Sequence, residues 1–189
     1  MPLLLIISIC LSFLFLLSEL FLALTKHSAK KTTFKKKDKG SLLILWIIIG
    51  LSLATGFNLA KFHDWRNVNF LVASAGIFLI LAGLAIRWIA ILQLKKAFTV
   101  NVAVSVDHVL KTDGLYCIVR HPGYLGLILI MTGEALTMNT LVSFIIVSVP
   151  ILMAILYRIY FEEKLLEEFF GDTYRNYKLN TWRIIPYIY

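Results

Sequence analysis

The stretch VNFLVASAGIFLILAGLAIRWIAILQL, Val68–Leu94, carries a single charge, Arg87, among its residues. As a helix rising ~1.5 Å per residue it would reach about 40 Å, more than the ~30 Å hydrocarbon core of a bilayer. Four further apolar runs flank it: Leu3–Leu24, Leu42–Ala60, Tyr124–Met138 and Leu141–Phe161. The fourth run in chain order is short for a span. The whole chain is 59% hydrophobic and 16% charged, with mean hydropathy +0.82. Soluble domains average nearer ~45–50% and ~25%. The expectation is an all-α integral membrane protein of about five transmembrane helices, with spans four and five forming a helical hairpin. The first run lacks a basic n-region and has an apolar core longer than the ~7–15 residues of a signal peptide. It reads as a retained helix.

Charge placement orients these spans. Formal net charge is +8, and the loop Lys26–Lys39 alone holds seven lysines. Lys95, Lys96, Lys111 and Arg120 follow span three, and Arg158, Lys164, Arg175, Lys178 and Arg183 follow span five. Only Lys61 and Arg66 occupy the intervening loop. With five spans the basic groups fall on one side, so the positive-inside rule puts the N-terminus outside and the C-terminus in the cytoplasm. Lysines that set topology and meet anionic lipid explain the charge, which argues against nucleic-acid binding. Cys10 and Cys117 imply no disulfide, and no metal-ligand spacing occurs. No feature of the sequence fixes an oligomeric state.

The chain divides into 1–92, three transmembrane helices with the Lys-rich loop 25–40, and 93–189, where the polar residues read as chemical instead of topological. Arg87 has two readings: a snorkelling arginine beside the interfacial anchor Trp88, or one facing the bundle interior. From Phe98 to Val106 apolar and polar residues alternate, the period of an extended segment. Such a segment cannot face lipid with unpaired backbone groups, so it belongs on the cytoplasmic face. Long ordered connectors are usually functional. This one, Gln93 to Pro122, carries Asn101, Asp107, His108, Lys111, Tyr116, Arg120 and His121.

The connector ends in LYCIVRHPGYLGL, Leu115–Leu127. Pro122 suits the first turn of a helix, and His121 before it is driven toward extended geometry. Gly123 and Gly126 allow close approach of a backbone or ligand. The helix start could receive a carboxylate or phosphate; equally, Arg120 could meet lipid headgroups and the tyrosines join an aromatic belt. In the last third, Arg158 and Glu162 stand four apart on one helical face. Ionisable groups at membrane depth are functional candidates first. The run Glu163–Tyr177, with apolar Leu165, Leu166, Phe169 and Phe170 and then a turn at Gly171-Asp172, reads as an amphipathic helix lying on the bilayer or capping the connector.

DHVLKTDGLYCIVRHPGYLG (Asp107–Gly126), a helical hairpin, and then EEKLLEEFFGDTYRNY (Glu162–Tyr177) together resemble the isoprenylcysteine carboxyl methyltransferase family. They also resemble the wider membrane methyltransferase group that includes phospholipid N-methyltransferases. The resemblance spans roughly Lys95 to the C-terminus. It implies methyl transfer from S-adenosylmethionine to a lipophilic acceptor in the bilayer, with isoprenylcysteine-type carboxyl O-methylation foremost. Phospholipid N-methylation and S-methylation of a small thiol stay open. The cofactor pocket is expected on the cytoplasmic side, built from the 93–122 connector and the C-terminal segment. The implied cofactor contacts are His108, Val109, Leu110, Lys111, Tyr116, His121, Pro122, Gly123 and Tyr124, with Asn101 a looser correspondence. Arg158 and Glu162 match the pair that faces the acceptor. Readings of another class are an NADPH-dependent sterol-type reductase and a non-catalytic membrane scaffold.

Overall fold

In the computed structural model, the structure describes residues 3–26, 40–60, 62, 69–94 and 110–189. The alternating Phe98–Val106 segment and the residues Asn101, His108 and Val109 lie outside the described residues, as does most of the Lys-rich loop. The described chain is helical: α1 (Leu3–Lys26), α2 (Ser41–Ala60), α3 (Phe70–Leu94), α4 (Pro122–Thr137), α5 (Leu141–Phe170) and α6 (Asp172–Leu179), with a 3-10 turn at Gly114–Cys117. Helices α2, α3 and α5 are long and apolar enough to cross a membrane, and α1 contains the shorter apolar stretch Ile6–Leu22. Large apolar side chains such as Leu43, Phe70, Phe78 and Leu141 point outward. On a soluble protein such patches would be a liability; in a bilayer they meet lipid.

Helices α3 and α4 form the closest contact, and small residues make it possible. Gly76 and Gly83 face Gly133 and Gly126, so a Cβ on Gly83 would stand 2.6 Å from the Gly126 carbonyl oxygen, and one on Gly76 would stand 2.7 Å from that of Gly133. Lipid tails are as apolar as leucine, so helices associate in membranes by van der Waals packing, which small residues permit. Ile80 and Ile130 fill the seam between the glycine pairs and are fully buried. Helix α2 lies on α5, where the Ser143 hydroxyl donates to the Gly56 carbonyl at 3.0 Å. Helix α1 packs on α3 and α4, and its Phe15 stacks on Trp46 of α2 at 6.3 Å.

At the end of the bundle away from Pro122, the elements are tied by caps. Asn69 and Asn139 exchange hydrogen bonds, backbone N–H to side-chain oxygen at 3.1 Å and side-chain NH₂ to carbonyl at 3.0 Å. The Asn69 oxygen also accepts from Leu71 and Val72 at the start of α3. The Thr140 hydroxyl caps α5 by accepting from the Ser143 N–H at 3.0 Å. Ser/Thr/Asn at these positions satisfy orphan helix donors.

One boundary differs from expectation. The amphipathic stretch from Glu163 is not a separate helix; α5 runs unbroken to Phe170, past Pro150 and past the expected span end at Phe161. Falling hydropathy ends a span but not a helix, and no glycine or proline occurs between Phe161 and Gly171. There φ is +55°, a conformation that favours glycine, and α6 turns back toward the bundle.

Candidate active site

Tyr124, in the first turn of α4, reaches α5. Its hydroxyl accepts from Arg158 Nε at 2.7 Å and donates to Glu162 Oε2 at 2.6 Å. The two charges expected to pair at i,i+4 are thus joined through a phenol supplied by another helix. Arg158 is buried, and its Nη1 donates to Ser41 Oγ, the first residue of α2, at 3.0 Å. Three helices therefore converge on one guanidinium.

A second carboxylate, Glu163, anchors the chain's last segment. It is buried. Oε1 accepts from Arg120 Nε at 3.0 Å and lies 3.3 Å from His121 Nε2; Oε2 accepts from Arg183 Nε at 3.0 Å and from its Nη2. Burial alone would raise this carboxyl, but hydrogen bonds from His121, Arg183 and Arg120 outweigh it and hold the group well below the usual carboxylate range. The other imidazole nitrogen of His121, Nδ1, is 3.9 Å from Glu162 Oε1, so the histidine touches both acidic groups.

Backbone pairing reinforces this. Val119 and Trp182 form a parallel bridge, with Arg120 N–H donating to the Trp182 carbonyl at 2.8 Å and His121 N–H to that of Arg183 at 3.2 Å. Arg120 Nη1 also donates to the carbonyls of Lys178, at 3.1 Å, and Thr181. Upstream, the Tyr177 hydroxyl donates to the Tyr116 carbonyl at 2.6 Å, and Leu115 N–H donates to Gln93 Oε1 of α3 at 2.9 Å. The Tyr116 ring is buried, its hydroxyl 3.4 Å from the Ala90 carbonyl. Burial first, and then the Glu162 charge, push its phenol well above the ordinary tyrosine value, so it remains a neutral donor.

Of the expected site residues, Tyr116, His121, Pro122, Gly123, Tyr124, Arg158 and Glu162 come together around the start of α4. Pro122 is its first residue and is buried. An added Cβ on Gly123 would meet nothing within 4 Å, while the Gly123 carbonyl accepts from Arg87 Nη1 at 3.1 Å. Leu110 and Lys111 open the described segment, and Lys111 Nζ pairs with Asp113 at 2.7 Å. A cleft of ≈ 410 Å³ opens beside Glu163, lined by Tyr160, Lys164, Glu167, Lys178 and Arg183 among others; among the described residues, none of the expected cofactor contacts lines it.

Sequence reasoning missed Glu19, Ser41 and Glu163. Polar residues before Lys96 were expected to be topological, yet Ser41 meets Arg158, and Arg87 meets Glu19 of α1 through Nε–Oε1 and Nη2–Oε2, the latter 2.7 Å. Of the two readings of Arg87, the structure shows the inward one. Glu19, an acid alone inside an apolar run, was the available signal.

Known proteins resemble this chain over most of its length. The profile of the isoprenylcysteine carboxyl methyltransferase (ICMT) family matches residues 76–168. Protein-S-isoprenylcysteine O-methyltransferase A of Arabidopsis thaliana is 29% identical over 180 residues, covering 92% of this chain and 88% of that protein. Protein-S-isoprenylcysteine O-methyltransferase of Schizosaccharomyces pombe is 31% identical over 144 residues, 74% of this chain and 61% of its own. Among solved structures, a eukaryotic intramembrane Ras methyltransferase ICMT superposes with TM-score 0.67 at 25% identity, over 96% of this chain and 65% of that one. The profile match takes in α4 and the span of α5 that carries Arg158, Glu162 and Glu163, and the relatives extend it over most of the chain: the chain belongs to the isoprenylcysteine carboxyl methyltransferase family.

Proposed function

We propose that this chain transfers a methyl group from S-adenosylmethionine to the carboxylate of an isoprenylcysteine-type acceptor held in the bilayer. The observation that carries the reading is the Arg158–Tyr124–Glu162 constellation, a buried guanidinium fixed in orientation where α5 leaves the apolar core. Arg158 would clamp the acceptor carboxylate, since a guanidinium fork matches carboxylate geometry. Tyr124 and Ser41 hold that fork in place. A carboxylate acceptor arrives deprotonated, so no general base is required, and positioning is the protein's main contribution.

The residues present suit the donor. Open space at Gly123 leaves the first turn of α4 approachable, where backbone N–H groups favour a carboxylate. The partly exposed Glu162 lies against the same turn through Tyr124 and suits a cation. When bound, S-adenosylmethionine supplies an electrophilic methyl on a positively charged sulfur. Asn101, His108, Val109, Leu110, Lys111, Tyr116, His121, Pro122, Gly123 and Tyr124 form the proposed donor-facing set. In this reading His121 and Tyr116 act chiefly by fixing the backbone around α4, given their burial and partners.

The same reading assigns five spans, α1 to α5, with α4 and α5 as a hairpin, the N-terminus outside, and the pocket on the cytoplasmic side between the 93–122 connector and the C-terminal segment. Residues 93–189 would form the methyl-transfer core and 1–92 its membrane support. The test is to incubate the purified protein in lipid with methyl-labelled donor and prenyl-cysteine, aminolipid and thiol acceptors. Label in a base-labile ester of the prenyl-cysteine is the expected result; label confined to the amine or thiol would overturn the carboxyl assignment.

A further inference from the structure

Residues 184–189 close on themselves. Ile184 and Ile185 N–H donate to the Tyr189 carbonyl at 2.8 and 3.0 Å, and Tyr189 N–H donates back to the Ile185 carbonyl at 3.0 Å. The loop is rooted from inside: Ile184 is buried in the core, and Arg183 holds Glu163 while its guanidinium lies 5.1 Å from the Tyr189 ring. Its tip is the opposite. Tyr187 is 86% and Ile188 76% exposed. Tyr187 also adopts φ +65°, a conformation that a side chain disfavours. An apolar tip held in one strained shape by a hydrogen-bonded root is built to meet something.

We propose that this loop inserts into the surface of the bilayer on the side where α4 begins. The Val119–Trp182 bridge and the His121–Arg183 backbone bond set residues 182 and 183 beside the residues just before Pro122. Since α4 enters the apolar core from Pro122, the loop hangs at the level of the membrane surface. Its composition fits that depth: Trp182, Tyr187 and Tyr189 are interfacial side chains, with Ile185 and Ile188 among them. From Lys178 to Tyr189 the charged side chains are Lys178 and Arg183, and they pair with Glu167 and Glu163. The apolar and aromatic side chains therefore carry the insertion, at the depth where tyrosine and tryptophan gather. A second copy of the chain, or the 95–109 connector, would cover the tip by protein instead.

The test requires no turnover, so its outcome is independent of the proposed methyl transfer. In full-length protein with Cys10 and Cys117 changed to Ser, Ile188→Cys carries an environment-sensitive NBD label in phosphatidylcholine vesicles, with or without phosphatidylglycerol. Thr173→Cys on exposed α6 is the aqueous control. The expected result, in both vesicle compositions, is a blue-shifted emission at position 188, quenching by nitroxide on the lipid chains and resistance to aqueous iodide. Iodide quenching equal to that at position 173 would leave the loop in water and overturn the proposal. Protection from both quenchers would mean a protein cover and overturn it equally. Tyr187→Cys repeats the measurement should the first variant fold poorly.

Discussion

The phenol of Tyr124 makes two bonds, accepting from Arg158 and donating to Glu162. Tyr124→Phe keeps the ring and removes both. A buried guanidinium donor then lacks its acceptor, a loss of about 1–3 kcal/mol. Under the proposed function, turnover falls roughly 10²-fold, the scale of a 1 Å misplacement at a reacting centre. Because the donor-facing ring is kept, donor affinity measured by calorimetry falls far less than turnover, and equal losses in binding and turnover would argue against an acceptor-side role for the hydroxyl. Glu163 behaves differently. Its folded-state pKa is depressed, so its contribution to stability is fully present above the ordinary glutamate value of about 4.3 and fades as pH falls below it. Thermal unfolding in detergent between pH 7 and pH 3 should show an acid limb that Glu163→Gln flattens. At neutral pH the same variant, stripping charge from a buried cluster with two arginines, should cost about 3–5 kcal/mol. Arg158 and Glu162 were legible in the sequence because helical spacing puts them on one face. Glu163, their neighbour, was not: its hydrogen-bond partner Arg120 lies 43 residues away, and nothing local marks such a pairing.

Among elements, the α3–α4 seam sets the tolerance of the bundle. The glycines read from sequence as points of close approach at the start of α4 have different uses: Gly126 admits the backbone of α3, whereas Gly123 faces open space. Gly83→Ala would press a methyl to 2.6 Å from a backbone oxygen, which cannot rotate away. The helices must part, at a typical overpacking cost of about 1–3 kcal/mol. Gly50 in α2 has nothing within 4 Å of an added Cβ, so Gly50→Ala should be neutral or stabilising by up to about 1 kcal/mol. Melting temperatures of the two variants in one detergent decide it, and equal shifts would mean the seam is looser than its geometry. Helix identity and the Pro122 start were readable from hydropathy and proline. The length of α5 was not, because amphipathic continuation and a fresh surface helix carry the same pattern until a breaker appears.

For the whole molecule, the question is what α1 contributes to a site built mainly from α4 and α5. Its Glu19 binds Arg87 of α3 through two bonds, and the third donor of Arg87 reaches the Gly123 carbonyl in the turn that carries Tyr124. Phe15 lies under the same guanidinium, 5.9 Å from its ring centre. This geometry was half legible: Arg87 within a span allowed an inward reading beside the snorkelling one, but hydropathy cannot say which distant helix supplies a partner. Removing one member of a buried pair strands the other charge, so Glu19→Gln and Arg87→Met should each destabilise by about 3–5 kcal/mol. Replacing both with apolar residues of similar volume, Glu19→Met with Arg87→Met, removes the stranded charge and should restore most of that loss. It cannot restore the donor to Gly123. The double variant should therefore melt near the parent protein yet turn over more slowly, with the deficit in donor KM exceeding that in kcat. Full recovery of both stability and turnover would reduce the Arg87–Gly123 bond to a bystander and leave α1 a purely structural helix.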